Sequence, residues 1–247
     1  MTFVDYRKDD SIVTITINRP ERLNALGRDT VQGITDAFQE YEADDEARVA
    51  ILTGAGRAFS TGQDVKELAG GDPPVPVSAH VAVDVVKKPV IAAVNGYALG
   101  GGCLLMMACD IRIAVESASF AMAEVKWAIP LALDRFLGQN LPTSLVMELL
   151  LTGEPIDAQR AYVGGLINKV VAGDTLMPEA VAIAETIARL SPAAIRAIKK
   201  SKIDTVGLSE TDLEIEEEAR QAARKTDDFK EASRASLEGR EPRYGVG

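Results

Sequence analysis

The chain has 247 residues, with 27 Lys and Arg against 37 Asp and Glu, a formal charge of −10, and 47% hydrophobic against 26% charged residues. That composition excludes wholesale disorder, and the length suits one domain of roughly 200–250 residues whose core needs no staples. The acidic balance, with no basic run to offset it locally, argues against a nucleic-acid or anionic-lipid partner.

No uncharged apolar stretch reaches about 18 residues, so no membrane span is expected. Met1 is followed by Thr2, Phe3, Val4 and Asp5 rather than a basic and then apolar leader, so no secretory signal is expected either. Cys103 and Cys109 form neither a CxxC pair nor a disulfide framework and read as reduced thiols of a cytoplasmic protein. The single histidine, His80, excludes most histidine-rich metal sites, and no metal is expected.

In chain order, residues 11–18 alternate Ile with Thr, the pattern of a half-buried strand, and Thr2–Arg7 is its expected hairpin partner. From Asp29, a plausible N-cap, Val31, Ile34, Phe38 and Tyr41 fall at helical spacing. Arg48–Thr53, Val90–Asn95 and Asp110–Val115 read as buried strands. Strands alternating with helices predict an α/β core with parallel pairing. Residues 78–88, which include His80, read as a solvated helix, and 70–76 as a loop. Beyond about residue 142 the periodicity predicts helices over 144–151, 155–163, 177–190 and 192–203, two more within 209–238, and one short strand at 168–171. No internal repeat or flexible spacer is visible.

Four segments could carry chemistry. Gly54-Ala55-Gly56 follows a strand, but Phe59 stands where a dinucleotide fingerprint needs its third glycine, so a strand-terminal turn is the better reading. Gly62 leads into a helix beginning near Asp64, and Gly100-Gly101-Gly102 opens an apolar helix. Each turn offers backbone N–H groups without internal acceptors, as an oxyanion site requires, although a capped helix start or close packing would explain either alone. Glu124 lies among Met122, Val125 and Trp127, where desolvation would suit it to acid/base work; a surface glutamate paired with Lys126 is the equal alternative. No G-x-S-x-G elbow is present and neither cysteine has a nearby histidine, which disfavours acyl-enzyme chemistry.

In order along the chain, Arg19–Leu26, Leu52–Val65, Lys88–Cys103, Met147–Gly153 and Gly165–Val170 resemble the enoyl-CoA hydratase/isomerase (crotonase) family. The resemblance implies a crotonase-like spiral of ββα units over residues 1–190, a helical trimerisation region over 191–247, and a homotrimer or hexamer. It implies an acyl-CoA or enoyl-CoA ligand, with coenzyme A as part of the substrate, no further cofactor, and a role in fatty acid metabolism. The thioester oxygen would lie between the N–H groups of Gln63 and Gly101, in a family that often has a small residue at position 63. Contacts to the adenine and pantetheine would map to Arg22, Leu23, Ala25, Ala58, Ser60, Asp64 and Val65, largely through backbone.

The departures bear on the reaction. Hydratases of the family carry two glutamates; the first position is Leu104 here and the second matches Glu124, preceded by Ala123 instead of proline. Some relatives place a carboxylate about eight residues after the second glutamate, and Asp134 lies ten after, either a second catalytic group or a helix cap. Ser236 and Gly239 stand where the family usually has Phe and Lys that grip CoA across a subunit boundary, unless Arg240 or Arg243 replaces them. One carboxylate can hydrate a 2-enoyl-CoA or shift its double bond. The alternatives are a catalytically silent acyl-CoA-binding protein and, less favoured, a serine hydrolase on the same fold with His80 as base.

Overall fold

The alternating Ile and Thr residues fold as β2 (Ile12–Ile17), antiparallel to β1 (Val4–Asp9) with Val4 opposite Ile17. The computed structural model describes residues 3–69, 79–129, 141–206, 218, 221–222 and 224–242. Val13, Ile15 and Ile17 are fully buried on the face covered by α1 (Arg28–Ala43), which contributes Val31, Ile34, Phe38 and Tyr41. The expected cap Asp29 lies inside the first turn of α1, whose N-cap is Gly27. The Arg28 N–H donates instead to Glu67 Oε2, 2.9 Å away, a cap supplied from a remote element that local spacing cannot reveal.

The chain then makes three ββα passes. The first consists of β3 (Val49–Gly54), β4 (Ala58–Ser60) and the short helix α2 (Val65–Ala69). After α3 (Ala79–Asp84) come β5 (Val90–Val94), β6 (Tyr97–Leu99) and α4 (Gly101–Ala108). The third has β7 (Ile111–Val115), β8 (Ser119–Ala121) and a 3-10 turn at Ala123–Trp127. The long strand of each pass enters a six-stranded sheet ordered β1-β2-β3-β5-β7-β10, the last being Lys169–Val171. The short strand enters a second sheet ordered β4-β6-β8-β9, the last being Ile156–Asp157. Strands of three residues are too short to show alternation, so β4, β6 and β8 escaped the periodicity reading; the repeating ββα unit they define is the one the family resemblance implies.

Two further expectations change. His80 is only 3% exposed, because α3 turns it inward beside Ala79, Ala82 and Val83, so the segment is not a solvated helix and its histidine is not presented to substrate. Ile156 and Asp157 pair antiparallel with β8 rather than starting a helix. Helix begins only at Ala158, with Asp157 Oδ1 accepting the Arg160 N–H.

Between β8 and β9 lies α5 (Thr143–Thr152), and β9 leads into α6 (Ala158–Val163). After β10, α7 (Leu176–Ala188) crosses β2, β3, β5 and β7, completing a helix–sheet–helix sandwich. The chain ends in α8 (Pro192–Val206) and α9 (Asp227–Glu238). Helix α8 is held by Lys199, whose buried Nζ lies 2.8 Å from Asp110 Oδ2 and donates to Lys88 O at 2.6 Å. Helix α9 packs on α2 and on the Ala123–Trp127 turn. Among the described residues no helix is long and apolar enough to cross a membrane.

Candidate active site

Because β4, β6 and β8 are parallel neighbours, their carboxyl ends emerge side by side. Gln63 follows β4, Gly101 follows β6 and Glu124 follows β8, so residues far apart in sequence occupy equivalent places in three passes. All three line one cleft of about 700 Å³. The mouths of parallel strands are a common place for ligands in α/β proteins, for this geometric reason.

Two backbone N–H groups lie close together there, the Gln63 N being 3.8 Å from where a Cβ on Gly101 would stand. Leu26 bridges Gln63 in parallel: the Leu26 N–H donates to Gly62 O at 2.7 Å and the Asp64 N–H to Leu26 O at 3.3 Å. In such a bridge the central residue turns its own N–H away from the partner, here toward Gly101. Gly101 is the first residue of α4, so its N–H has no carbonyl one turn back. Gly62, at φ +81°, makes the approach possible: a Cβ there would lie 2.7 Å from Leu99 O and 2.8 Å from Gly101 N. Two such donors can stabilise an oxygen that gains negative charge.

The Glu124 carboxylate rests on the backbone of Gly100, where a Cβ would come within 2.9 Å of its Oε1. Its Oε2 is buried, and Trp127, Ile129, Leu99 and Ala123 complete this end of the cleft. Of the apolar neighbours expected around it, Met122 is buried and Trp127 lines the cleft, whereas Val125 is 38% exposed and turned toward Gly153. Lys126 Nζ lies 2.9 Å from Glu154 Oε1 on the surface. Burial, reinforced by the Glu124 charge, pushes the Cys103 thiol up to about 12, so it stays protonated and is no nucleophile near neutral pH. Leu104 is buried in α4. A carboxyl group is absent there, and Asp134 lies outside the described residues.

Arg22, Leu23, Ala25, Asp64 and Val65 line the same cleft, but Ala58 and Ser60 do not reach it. Ala58 O accepts Asn24 Nδ2 and Asn95 Nδ2, while Ser60 Oγ donates to Asn24 O and accepts the Gly62 N–H. They build the turn and are covered by it. Asn24, at φ +57° and fully buried, ties residues 19–26 to this loop. Asp64 is paired with Arg19 at 2.8 Å and Arg22 at 3.1 Å.

Sequence reasoning missed Arg57, Thr61, Lys66 and Ile129 as cleft residues. Arg57 and Lys66 are exposed at its rim, a local positive charge on an acidic protein. Only the fold brings them together. Arg240, two residues past the end of α9, folds back to pair with Glu231 and Glu238 of that helix. Arg243 lies outside the described residues.

Residues 7–246 match the sequence model of a family described as enoyl-CoA hydratase/isomerase. A probable enoyl-CoA hydratase, echA8, of Mycobacterium bovis is 35% identical over 246 residues, 96% of this chain and 95% of the relative. An (E)-benzylidenesuccinyl-CoA hydratase of Thauera aromatica is 37% identical over 207 residues, 78% of each chain. Among solved structures, EchA1_1 from Mycobacterium paratuberculosis superposes with a TM-score of 0.89 at 35% identity, covering 99% of this chain and 98% of the other.

Proposed function

Since the chain belongs to the enoyl-CoA hydratase/isomerase family, we propose that it hydrates a 2-enoyl-CoA thioester with Glu124 as its single acid/base group. The observation that carries this reading is the convergence of the Gln63 N–H, the Gly101 N–H and the Glu124 carboxylate in one cleft. The thioester oxygen sits between the two N–H groups and draws electron density from C3. Water attacks C3 while Glu124 takes one of its protons; the bond to C3 forms as the double bond yields an enolate on the thioester oxygen. Glu124 then returns that proton to C2. One water is added, and the carboxylate ends as it began, so one group suffices.

Arg57 and Lys66 at the rim suit the anionic end of CoA, and the substrate needs no further cofactor. Residues 1–190 serve as the thioester-binding core and 191–247 as the assembly region, in a homotrimer or a pair of trimers. Exposed Leu190 and Ile198 support assembly, and the buried thiols of Cys103 and Cys109, joined in no disulfide, suit the cytoplasm.

A second reading rests on Leu104. An apolar side chain at the usual place of a second carboxylate holds no water, which favours transfer of a proton from C4 to C2 or the reverse by Glu124. A panel of 2-enoyl- and 3-enoyl-CoA thioesters, followed by the absorbance of the conjugated thioester, separates the two. Glu124→Gln is expected to lower turnover by roughly 10²–10⁴ with CoA-ester affinity within a few-fold. Full activity in that variant, or no turnover of any thioester by the wild type, would overturn the proposal.

A further inference from the structure

Of the two N–H donors, Gly101 is fixed by the start of α4, whereas Gln63 lies ahead of the short helix α2, so something else must aim its N–H. The residue after it is Asp64, whose side chain is 3% exposed and whose two oxygens are fully engaged. Oδ2 accepts from Arg19 Nη1 at 2.8 Å; Oδ1 accepts from Arg22 Nη2 at 3.1 Å and from the N–H groups of Lys66 at 3.0 Å and Glu67 at 3.4 Å. The Asp64 N–H is the rung of the Leu26 bridge on the C-terminal side of Gln63. Gln63 is therefore bracketed, by Gly62 before it and by a clamped carboxylate after it.

The clamp is itself anchored. Arg19 is 13% exposed, lies 4.7 Å from the Phe3 ring centroid, and has Glu67 at 3.8 Å as its second acidic neighbour. The charged groups facing Asp64 are thus Arg19 and Arg22 from the 19–22 turn, with Glu67 from α2. Burial by itself would raise the Asp64 carboxyl. The N–H of Lys66, the Arg22 guanidinium, the N–H of Glu67 and Arg19 outweigh that and hold it below the usual carboxylate range. It stays charged throughout the neutral range, and a buried charge with all its partners inside the protein has little left for a ligand.

Resting on the thioester reading above, we propose that Asp64 is a positioning residue: clamped by Arg19 and Arg22, its carboxylate sets the direction of the Gln63 N–H, and so the polarisation of the substrate carbonyl, without itself bonding substrate. The ligand contact that the family resemblance implies for Asp64 runs largely through its backbone; the positioning role belongs to its side chain.

The test uses the full-length protein, turnover of a 2-enoyl-CoA, and cinnamoyl-CoA as a chromophoric probe. Polarising the carbonyl of a conjugated thioester moves its absorption band to longer wavelength, so the bound band reports the donors independently of turnover. Wild type should shift the band. Asp64→Asn, nearly isosteric, should bind the probe within a few-fold, lose most of the shift, and lower kcat about 10²-fold with KM little changed. Arg19→Gln leaves Arg22 and the backbone partners in place and should lose part of both; it decides the matter if Asp64→Asn does not fold. An unchanged band and kcat in the folded variants overturns the positioning role while leaving the thioester reading intact. A raised KM with unchanged kcat overturns it in favour of direct contact. A wild type that binds the probe without a shift overturns the oxyanion reading beneath it.

Discussion

Each of the three glycines at 100–102 has its own geometric reason. Gly100, at φ +51°, leaves room for the Glu124 carboxylate; Gly101 offers its N–H; Gly102 packs so closely on Ser60 O that a Cβ would lie 2.2 Å away. Gly100→Ala therefore places strain and a methyl group against the Glu124 carboxylate. It should lower kcat by about 10²-fold, the effect of moving a reacting group by about 1 Å, in a protein that still binds CoA esters. Wild-type kcat in that variant would remove Gly100 from the site. At the oxyanion donors, Gln63→Ala keeps the N–H and should retain most activity, whereas Gly101→Pro deletes it and should lose on the order of 10²–10³ in rate. Steady-state kinetics on one enoyl-CoA distinguishes them, and the reverse ranking would invert the assignment.

Among elements, α8 is unusual in being held by a charge. Most of its described side chains are exposed, Ile198 among them at 71%, while Lys199 reaches inward to Asp110 and to the Lys88 carbonyl. Asp110 in turn accepts the Val90 N–H, so the clasp joins α8 to the start of β5. Lys199→Met would leave a carboxylate and a carbonyl without their cation. The cost is about 3 kcal/mol, the low end for a broken buried pair because Asp110 keeps 21% exposure. We expect a lower thermal midpoint and faster hydrogen exchange across 192–206 while β3 and β5 stay protected. An unchanged midpoint would show that other contacts hold α8.

At the scale of the whole molecule, some apolar side chains are left in water that no other described residue covers. Leu190 is 56% exposed and Ile198 71%, close together in sequence around the start of α8. Burying a Leu or Ile side chain contributes about 1.5–3 kcal/mol, so a symmetric assembly that covers this surface is favoured. Light scattering at micromolar concentration should give a trimer or a pair of trimers of 26.4 kDa chains. A mass of one chain would contradict it.

The long strands, the helices α1 and α4, and the glycine turns were legible because each is written in local periodicity or in a residue type with few backbone alternatives. The family resemblance rested on those same segments. Sequence alone therefore determined the α/β class and the family, and through the family resemblance it named Gln63, Gly101 and Glu124, which the fold brings to one cleft. It did not reveal β4, β6 and β8, whose three-residue strands are stabilised by neighbours rather than by their own pattern. Nor did it reveal that Ala58 and Ser60 lie beneath the cleft, or that Asp64 is spent on Arg19 and Arg22. Exposure, ion pairing and the direction of an N–H depend on segments tens of residues apart meeting in space. Only the tertiary structure decided them, because parallel pairing brings those strand ends side by side.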